Sequence, residues 1–183
     1  MDDRTRTAVS KFLSFVLRHH PAAVGVTLDQ SGWVDVESLL SQCQAHGRPI
    51  TRAMLDEVVA TSPKRRFAFS EDGTQIRASQ GHTVAVDLGY EEHQPPEVLF
   101  HGTFASAVPG IRARGLMKMR RHHVHLSSDL ETATLVGSRR GRPIVLRVQA
   151  GRMHSDGRVF YMSANGVWLT EHVPPEYIEF SDE

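Results

Sequence analysis

The spacing of apolar residues changes character once along this chain, and the change falls at residues 87–97. Upstream, apolar side chains recur at helical intervals; downstream they gather into short runs of strand length. The intervening segment holds Gly89, four acids, His93, Pro95 and Pro96, the composition of a linker. A chain of 183 residues divided in this way is expected to form two lobes, 1–92 and 93–183, of α+β class.

In the first lobe, residues 5–19 place Val9, Phe12, Leu13, Val16 and Leu17 on one helical face, with Arg18 and His19 in the last turn and Pro21 as a stop. An extended piece is expected at 26–28, followed by a turn and strand at Gly32, Trp33 and Val34. Asp35 can cap a helix carrying Val36, Leu39, Leu40 and Cys43, which Gly47 ends; Thr51 can cap another carrying Met54, Leu55, Val58 and Val59. Residues 66–69 and 76–78 flank Glu71, Asp72 and Gly73 as a hairpin. Helix, short strand, two helices and hairpin is the order of a winged helix. That order is usually associated with nucleic acid, although fold alone does not establish function.

In the second lobe, strands are expected at 98–100, 124–126, 144–148, 159–161, 167–169 and 177–180, with helical stretches at 105–113 and 130–136. The result is an α+β lobe with a mostly β core. No internal repeat or low-complexity tract interrupts either lobe.

Composition narrows the function classes. The single cysteine, Cys43, cannot form an internal disulfide or build a thiolate zinc site, which points to a cytoplasmic protein. No apolar run approaches the roughly 20 residues of a membrane span, and the first residues lack the pattern of a signal peptide. Export and membrane insertion are not expected. Net charge is zero, yet Arg112, Arg114, Lys118, Arg120 and Arg121 follow one another without an acid, as do residues 64–66 and 139–142. Such clusters suit an anionic partner or a solvated face.

The usual nucleotide signatures, a Walker loop and a Gly-rich dinucleotide fingerprint, are missing, as is a His-Glu-x-x-His metal motif. Of His122, His123 and His125, only the last two share a strand face, and no carboxylate or cysteine lies near them in sequence; no metal is expected. His101, Gly102 and Thr103 directly follow an apolar run. There a glycine admits close approach to the backbone while its neighbours offer directed hydrogen bonds. The same tripeptide also reads as an ordinary turn with Thr103 as an N-cap.

Taken with Ser10 to His19 and Pro21, Gly32-Trp33-Val34, Arg66-Phe67, Ile76-Arg77-Ala78, Gln80-Gly81-His82, Gly115-Leu116, Arg121, His123-Val124-His125-Leu126-Ser127, Asp156-Gly157 and Asn165-Gly166-Val167-Trp168-Leu169, this tripeptide resembles the RNA 2'-phosphotransferase family, called KptA in bacteria. The resemblance covers almost the whole chain. It implies an N-terminal winged-helix lobe binding RNA and phosphate, and a C-terminal ADP-ribosyltransferase-like lobe binding NAD+. It further implies a metal-free, monomeric enzyme that removes an internal RNA 2'-phosphate, with NAD+ as co-substrate, as in tRNA splicing. The phosphate attacks the anomeric carbon of the nicotinamide ribose and expels nicotinamide. The neighbouring ribose hydroxyl then attacks phosphorus, releasing 2'-OH RNA and ADP-ribose 1'',2''-cyclic phosphate.

By motif, the family's catalytic residues fall on Arg18, His19, Arg66 and Arg121. Guanidinium forks suit an anionic phosphorus because they bind its oxygens bidentately and stay charged. His19 could transfer a proton or simply donate to the phosphate. Each of the four has a basic neighbour (Arg65, Arg120 and His20 among them), so a shift of one residue would misassign it. For NAD+ the resemblance implies His101, Gly102, Thr103, His125, Ser127, Asn165 and Val167, and for the RNA Arg18, His19, Arg66, Arg77 and Gln80. Two alternatives keep parts of this reading: an NAD+-dependent ADP-ribosyltransferase with another phosphorylated acceptor, and a non-catalytic winged-helix nucleic-acid binder.

Overall fold

The computed structural model describes residues 1–180; residues 181–183 of the expected second lobe, and the Arg140 side chain of the 139–142 cluster, lie outside the described residues. The chain is mixed helix and sheet, and it divides into two compact units, Met1–Gly89 and Tyr90–Glu183. The division falls inside the 87–97 segment, three residues before the boundary drawn from sequence.

In the first unit, Asp2 caps α1 (Asp3–Arg18) by accepting from the Thr5 N–H at 2.7 Å. Its buried face is Val9, Leu13, Val16 and Leu17, with Phe12 packed at the margin. A 3-10 turn (Pro21–Val24) follows. Residues 26–28, expected as an extended piece, are assigned to no strand, and Val26 is buried. The Val26 N–H donates to the Pro21 carbonyl at 3.2 Å while the side chain joins the core. Then come β1 (Val34–Asp35), α2 (Val36–Ala45), α3 (Arg52–Ala60), β2 (Phe67–Phe69) and β3 (Gln75–Ala78). Asp35 and Thr51 cap α2 and α3 through the Ser38 and Met54 N–H groups, and Gly47 turns the chain out of α2 with φ at +71°. The strands form one antiparallel sheet in the order β1-β3-β2. Leu13, Val16, Leu17, Leu39, Leu55 and Ile76 are buried in its core, and complete burial of each such side chain stabilises the fold by about 1.5–3 kcal/mol.

The second unit runs β4 (Leu99–Phe104), a 3-10 turn (Ala105–Ala107), α4 (Val108–Arg114), β5 (Leu116–Met117), β6 (Val124–Leu126) and α5 (Leu130–Gly137). After these come β7 (Pro143–Val148), α6 (Ala150–Ser155), β8 (Tyr161–Met162), β9 (Trp168–Thr170), β10 (His172–Val173) and β11 (Ile178–Glu179). Among the described residues, three antiparallel sheets form, in the orders β11-β7-β4, β6-β9-β8 and β10-β5. The strand expected from 159 begins instead at Tyr161, because Val159 is exposed. Helix α6 was not foreseen; it supplies Ala150 and Met153 to a core otherwise made largely of strand residues. Gly102 has a packing role: a Cβ there would overlap the Ala133 carbonyl, so β4 lies directly on the backbone of α5. Among the described residues, no helix is long and apolar enough to cross a membrane.

Candidate active site

The first unit brings Arg18, His19 and Arg66 together. Arg18 ends α1 and His19 is its C-cap. The Arg18 carbonyl, which the helix leaves without a following turn, accepts from the backbone N–H groups of Thr83 (2.9 Å) and Val84 (3.4 Å). The Thr83 hydroxyl also donates to it at 3.4 Å, and His19 Nδ1 lies 3.0 Å from the same Oγ1. With its proton on the carbonyl, the hydroxyl accepts from His19 Nδ1–H, which makes Nε2 the basic nitrogen of the neutral ring.

Arg66 is held at its backbone, where its N–H donates to the Ser62 hydroxyl at 3.4 Å. Its carbonyl accepts from the Ser79 N–H at 2.9 Å and from Arg18 Nη2 at 3.4 Å. The preceding residue, Arg65, has φ at +39°, a conformation unusual for a residue with a Cβ. The buried Ser79 hydroxyl donates to the Arg65 carbonyl at 2.7 Å and fastens that turn. His19 and Arg66 line a cleft of about 390 Å³ with Ser62. Arg18 is absent from the lining; its guanidinium meets the Arg66 backbone instead. Arg77 is also absent: it lies over the Trp33 ring, 4.4 Å from the centroid, and donates to the Ser31 carbonyl at 3.3 Å. Gln80 is half-buried just beyond Ser79.

The second unit joins His101, His125 and Arg121. His101, on β4, directs Nδ1 to the backbone carbonyl of His125, on β6, at 3.0 Å. Arg121 Nη1 donates to His125 Nδ1 at 3.3 Å, so His125 presents its proton at Nε2. Burial holds the His101 pKa below its ordinary value; the bond to His125 opposes the shift and the Arg121 charge adds to it. His101 is therefore neutral near pH 7, with Nδ1 donating and Nε2 free to accept. Ser127 is fixed by reciprocal backbone bonds with Phe100 at 2.8 Å. Thr103 is buried beside Gly102.

Asn165 and Val167 belong to the turn between β8 and β9. The buried Ser163 hydroxyl donates to Asn165 Oδ1 at 2.7 Å and accepts from the Val167 N–H at 3.0 Å. The pairs His125 with Leu169 and Leu126 with Trp168, carried one step further by the two-residue alternation, put Ser127 and Val167 on the His125 side of the sheet. Trp168 is a core residue. His123 packs edge-on to Tyr90 and Tyr161, and burial is the main cause of its lowered pKa. Among the described residues, no group of three or more histidines, cysteines or carboxylates could hold a metal. A smaller cavity of about 240 Å³, lined in part by His93 and Arg158, contains none of the candidate residues.

Thr83, Ser79 and the strained Arg65 are additions that motif reasoning missed. The Gln80-Gly81-His82 run lies between Ser79 and Thr83 and was the signal nearest to them.

Residues 4–172 match the model of the RNA 2'-phosphotransferase, Tpt1 / KptA family. Relatives named "Probable RNA 2'-phosphotransferase" include one from Streptomyces coelicolor, 56% identical over 98% of both chains. Others come from Rhodopirellula baltica, 51% identical over 97% of both, and from Agrobacterium fabrum, 52% identical over 96% of this chain and 94% of the relative. The chain belongs to the RNA 2'-phosphotransferase family.

Proposed function

We propose that this chain is an NAD+-dependent RNA 2'-phosphotransferase, with a winged-helix lobe taking the RNA phosphate and an ADP-ribosyltransferase-like lobe taking NAD+. The cytoplasm suits it, since its lone thiol, Cys43, is buried and free. The observation that carries the reading is the bonded group His101, His125 and Arg121. Its chemistry fits a nicotinamide ribose: two histidines in opposite tautomers offer one acceptor and one donor, Ser127 adds a hydroxyl, and the set contains no carboxylate. A carboxylate there would repel an attacking phosphate.

NAD+ supplies an ADP-ribosyl acceptor for the RNA phosphate and, afterwards, the ribose hydroxyl that displaces the RNA oxygen from phosphorus. In this reading, His101 Nε2 accepts from a ribose hydroxyl. Gly102, Thr103 and Asn165 shape the rest of the dinucleotide site. Arg66 in the first unit and Arg121 in the second each supply a guanidinium suited to phosphoryl oxygens and to offsetting charge that builds on phosphorus. Arg18 acts at one remove, bracing Arg66 through its carbonyl. His19 takes the hydroxyl proton at Nε2 and returns it to the departing RNA oxygen, while Thr83 holds Nδ1.

The test is incubation with NAD+ and an oligonucleotide bearing one internal 2'-phosphate. The expected products are nicotinamide, 2'-OH RNA and ADP-ribose 1'',2''-cyclic phosphate. Release of inorganic phosphate, or turnover without NAD+, overturns the proposal.

A further inference from the structure

The cleft that holds His19 and Arg66 continues well beyond them. Its floor is α1, which contributes Arg6 and Thr7, then Ser10 and Lys11, then Ser14 and Phe15, one pair per turn. From Arg6 to His19 the helix rises about 20 Å, several times the size of one phosphate. The opposite wall is Thr61, Ser62 and Pro63, beyond the end of α3. Among the described residues, no carboxylate lines the cleft. Arg6 is paired with Glu57 at 3.3 Å and with Asp3, and Lys11 is exposed.

Phe15 stands out on this polar face. It lies off the buried stripe of α1 and is 44% exposed. Its ring sits 4.7 Å from that of His20 at 33°, so the two make a small aromatic surface beside His19. Cations and hydroxyls along a groove, with an open aromatic within it, are what a single nucleic-acid strand requires: the former follow the backbone and the latter stacks a base. A duplex keeps its bases stacked inside and gains nothing from such a ring.

We propose that this face of α1 is a track for the single-stranded RNA flanking the 2'-phosphate, with Phe15 stacking one base and Lys11 contacting one backbone phosphate. The assignment rests on the RNA 2'-phosphotransferase reading.

The experiment measures binding of the full chain, by fluorescence anisotropy, to a labelled single-stranded RNA that lacks a 2'-phosphate, and to its duplex. Phe15→Ala should weaken single-strand binding about 5- to 150-fold, the range for loss of one base stack. Phe15→Leu, which keeps bulk without the π face, should restore little. Lys11→Gln should reduce the slope of log K against log salt by about 0.7. Arg48→Gln, an exposed charge outside the cleft whose guanidinium lies over the Phe12 ring, should bind within about twofold of wild type, as a charge that does not line the track should. Unchanged binding in Phe15→Ala and Lys11→Gln, or a duplex bound as tightly as the single strand, overturns the track. A parallel assay with the 2'-phosphorylated oligonucleotide separates the two readings. Tight single-strand binding without NAD+-dependent turnover would sink the enzymatic reading alone. Turnover whose RNA KM is unmoved by Phe15→Ala would sink the track alone.

Discussion

Thr83→Val isolates the group that orients His19. The hydroxyl lies 3.0 Å from His19 Nδ1 and 3.4 Å from the Arg18 carbonyl, and valine keeps its shape while removing both bonds. Stability should fall little. The Arg18 carbonyl retains the Thr83 and Val84 N–H groups, and Thr83 is exposed, so water can take up the lost contact. A net loss below about 1 kcal/mol corresponds to a melting shift of roughly 2–4 °C or less. The chemistry should suffer more. Without an acceptor at Nδ1, the ring populates both tautomers and turns more freely, so the basic Nε2 is less often in place. About tenfold, equivalent to about 1.4 kcal/mol of barrier, is expected in the second step. Rapid-quench analysis of a 2'-phosphorylated oligonucleotide would follow ADP-ribosylated RNA and its conversion to 2'-OH RNA. The conjugate should build up in Thr83→Val, and Thr83→Ser should restore the rate. If Thr83→Val converts the conjugate at the wild-type rate while His19→Ala does not, the hydroxyl does not set the ring and the reasoning fails.

Gly102→Ala should lower the melting temperature by several degrees, because its Cβ would strike the Ala133 carbonyl and come within 2.8 Å of the Gly137 nitrogen; overpacking of this kind costs about 1–3 kcal/mol, and calorimetry reads it. Ser79→Ala removes the bond to the Arg65 carbonyl and should let the strained turn relax, raising the KM for phosphorylated RNA about tenfold with the KM for NAD+ little changed; equal changes in both would contradict a role in placing Arg66. The lowered pKa of His101 means that the unfolded chain binds the proton more readily than the folded one. Its contribution to stability is therefore complete above the ordinary value near 6.5 and is lost as pH falls through the lower folded value. Denaturant melts from pH 8 to 5 should show that decline, and His101→Asn should flatten it; an identical slope in the variant would exclude His101 as its source.

What could be seen in the sequence was local. Asp35 and Thr51 read as caps because a cap bonds only three residues ahead, and the 66–78 hairpin was marked by its own turn. Helix α6 was hidden because it has six residues and carries Gly151, a poor helix former. Strands β5 and β10 have two residues each and exist only because Leu116 and Met117 meet Val173 and His172. At the candidate site, His101 and His125 stood out by residue type. The bond from one ring to the other's backbone spans 24 positions and follows from sheet pairing alone. Ser79 and Thr83 escaped notice because a serine or threonine announces nothing until the fold brings a distant carbonyl or ring to it, 14 residues away for Ser79 and 64 for Thr83.

The C-terminal end of a helix is the wrong pole for an anion, since its exposed carbonyls repel negative charge. Yet α1 delivers Arg18 and His19 from that pole. The fold quiets it: the N–H groups of His19 and His20 cover the Phe15 carbonyl, and those of Thr83 and Val84 cover that of Arg18. In the proposed mechanism a phosphate would meet the His19 imidazole and the Arg66 guanidinium of the cleft against a muted background. Loosening the 83–84 segment would unmask the Arg18 oxygen and turn the helix end from quiet scaffold into an electrostatic barrier.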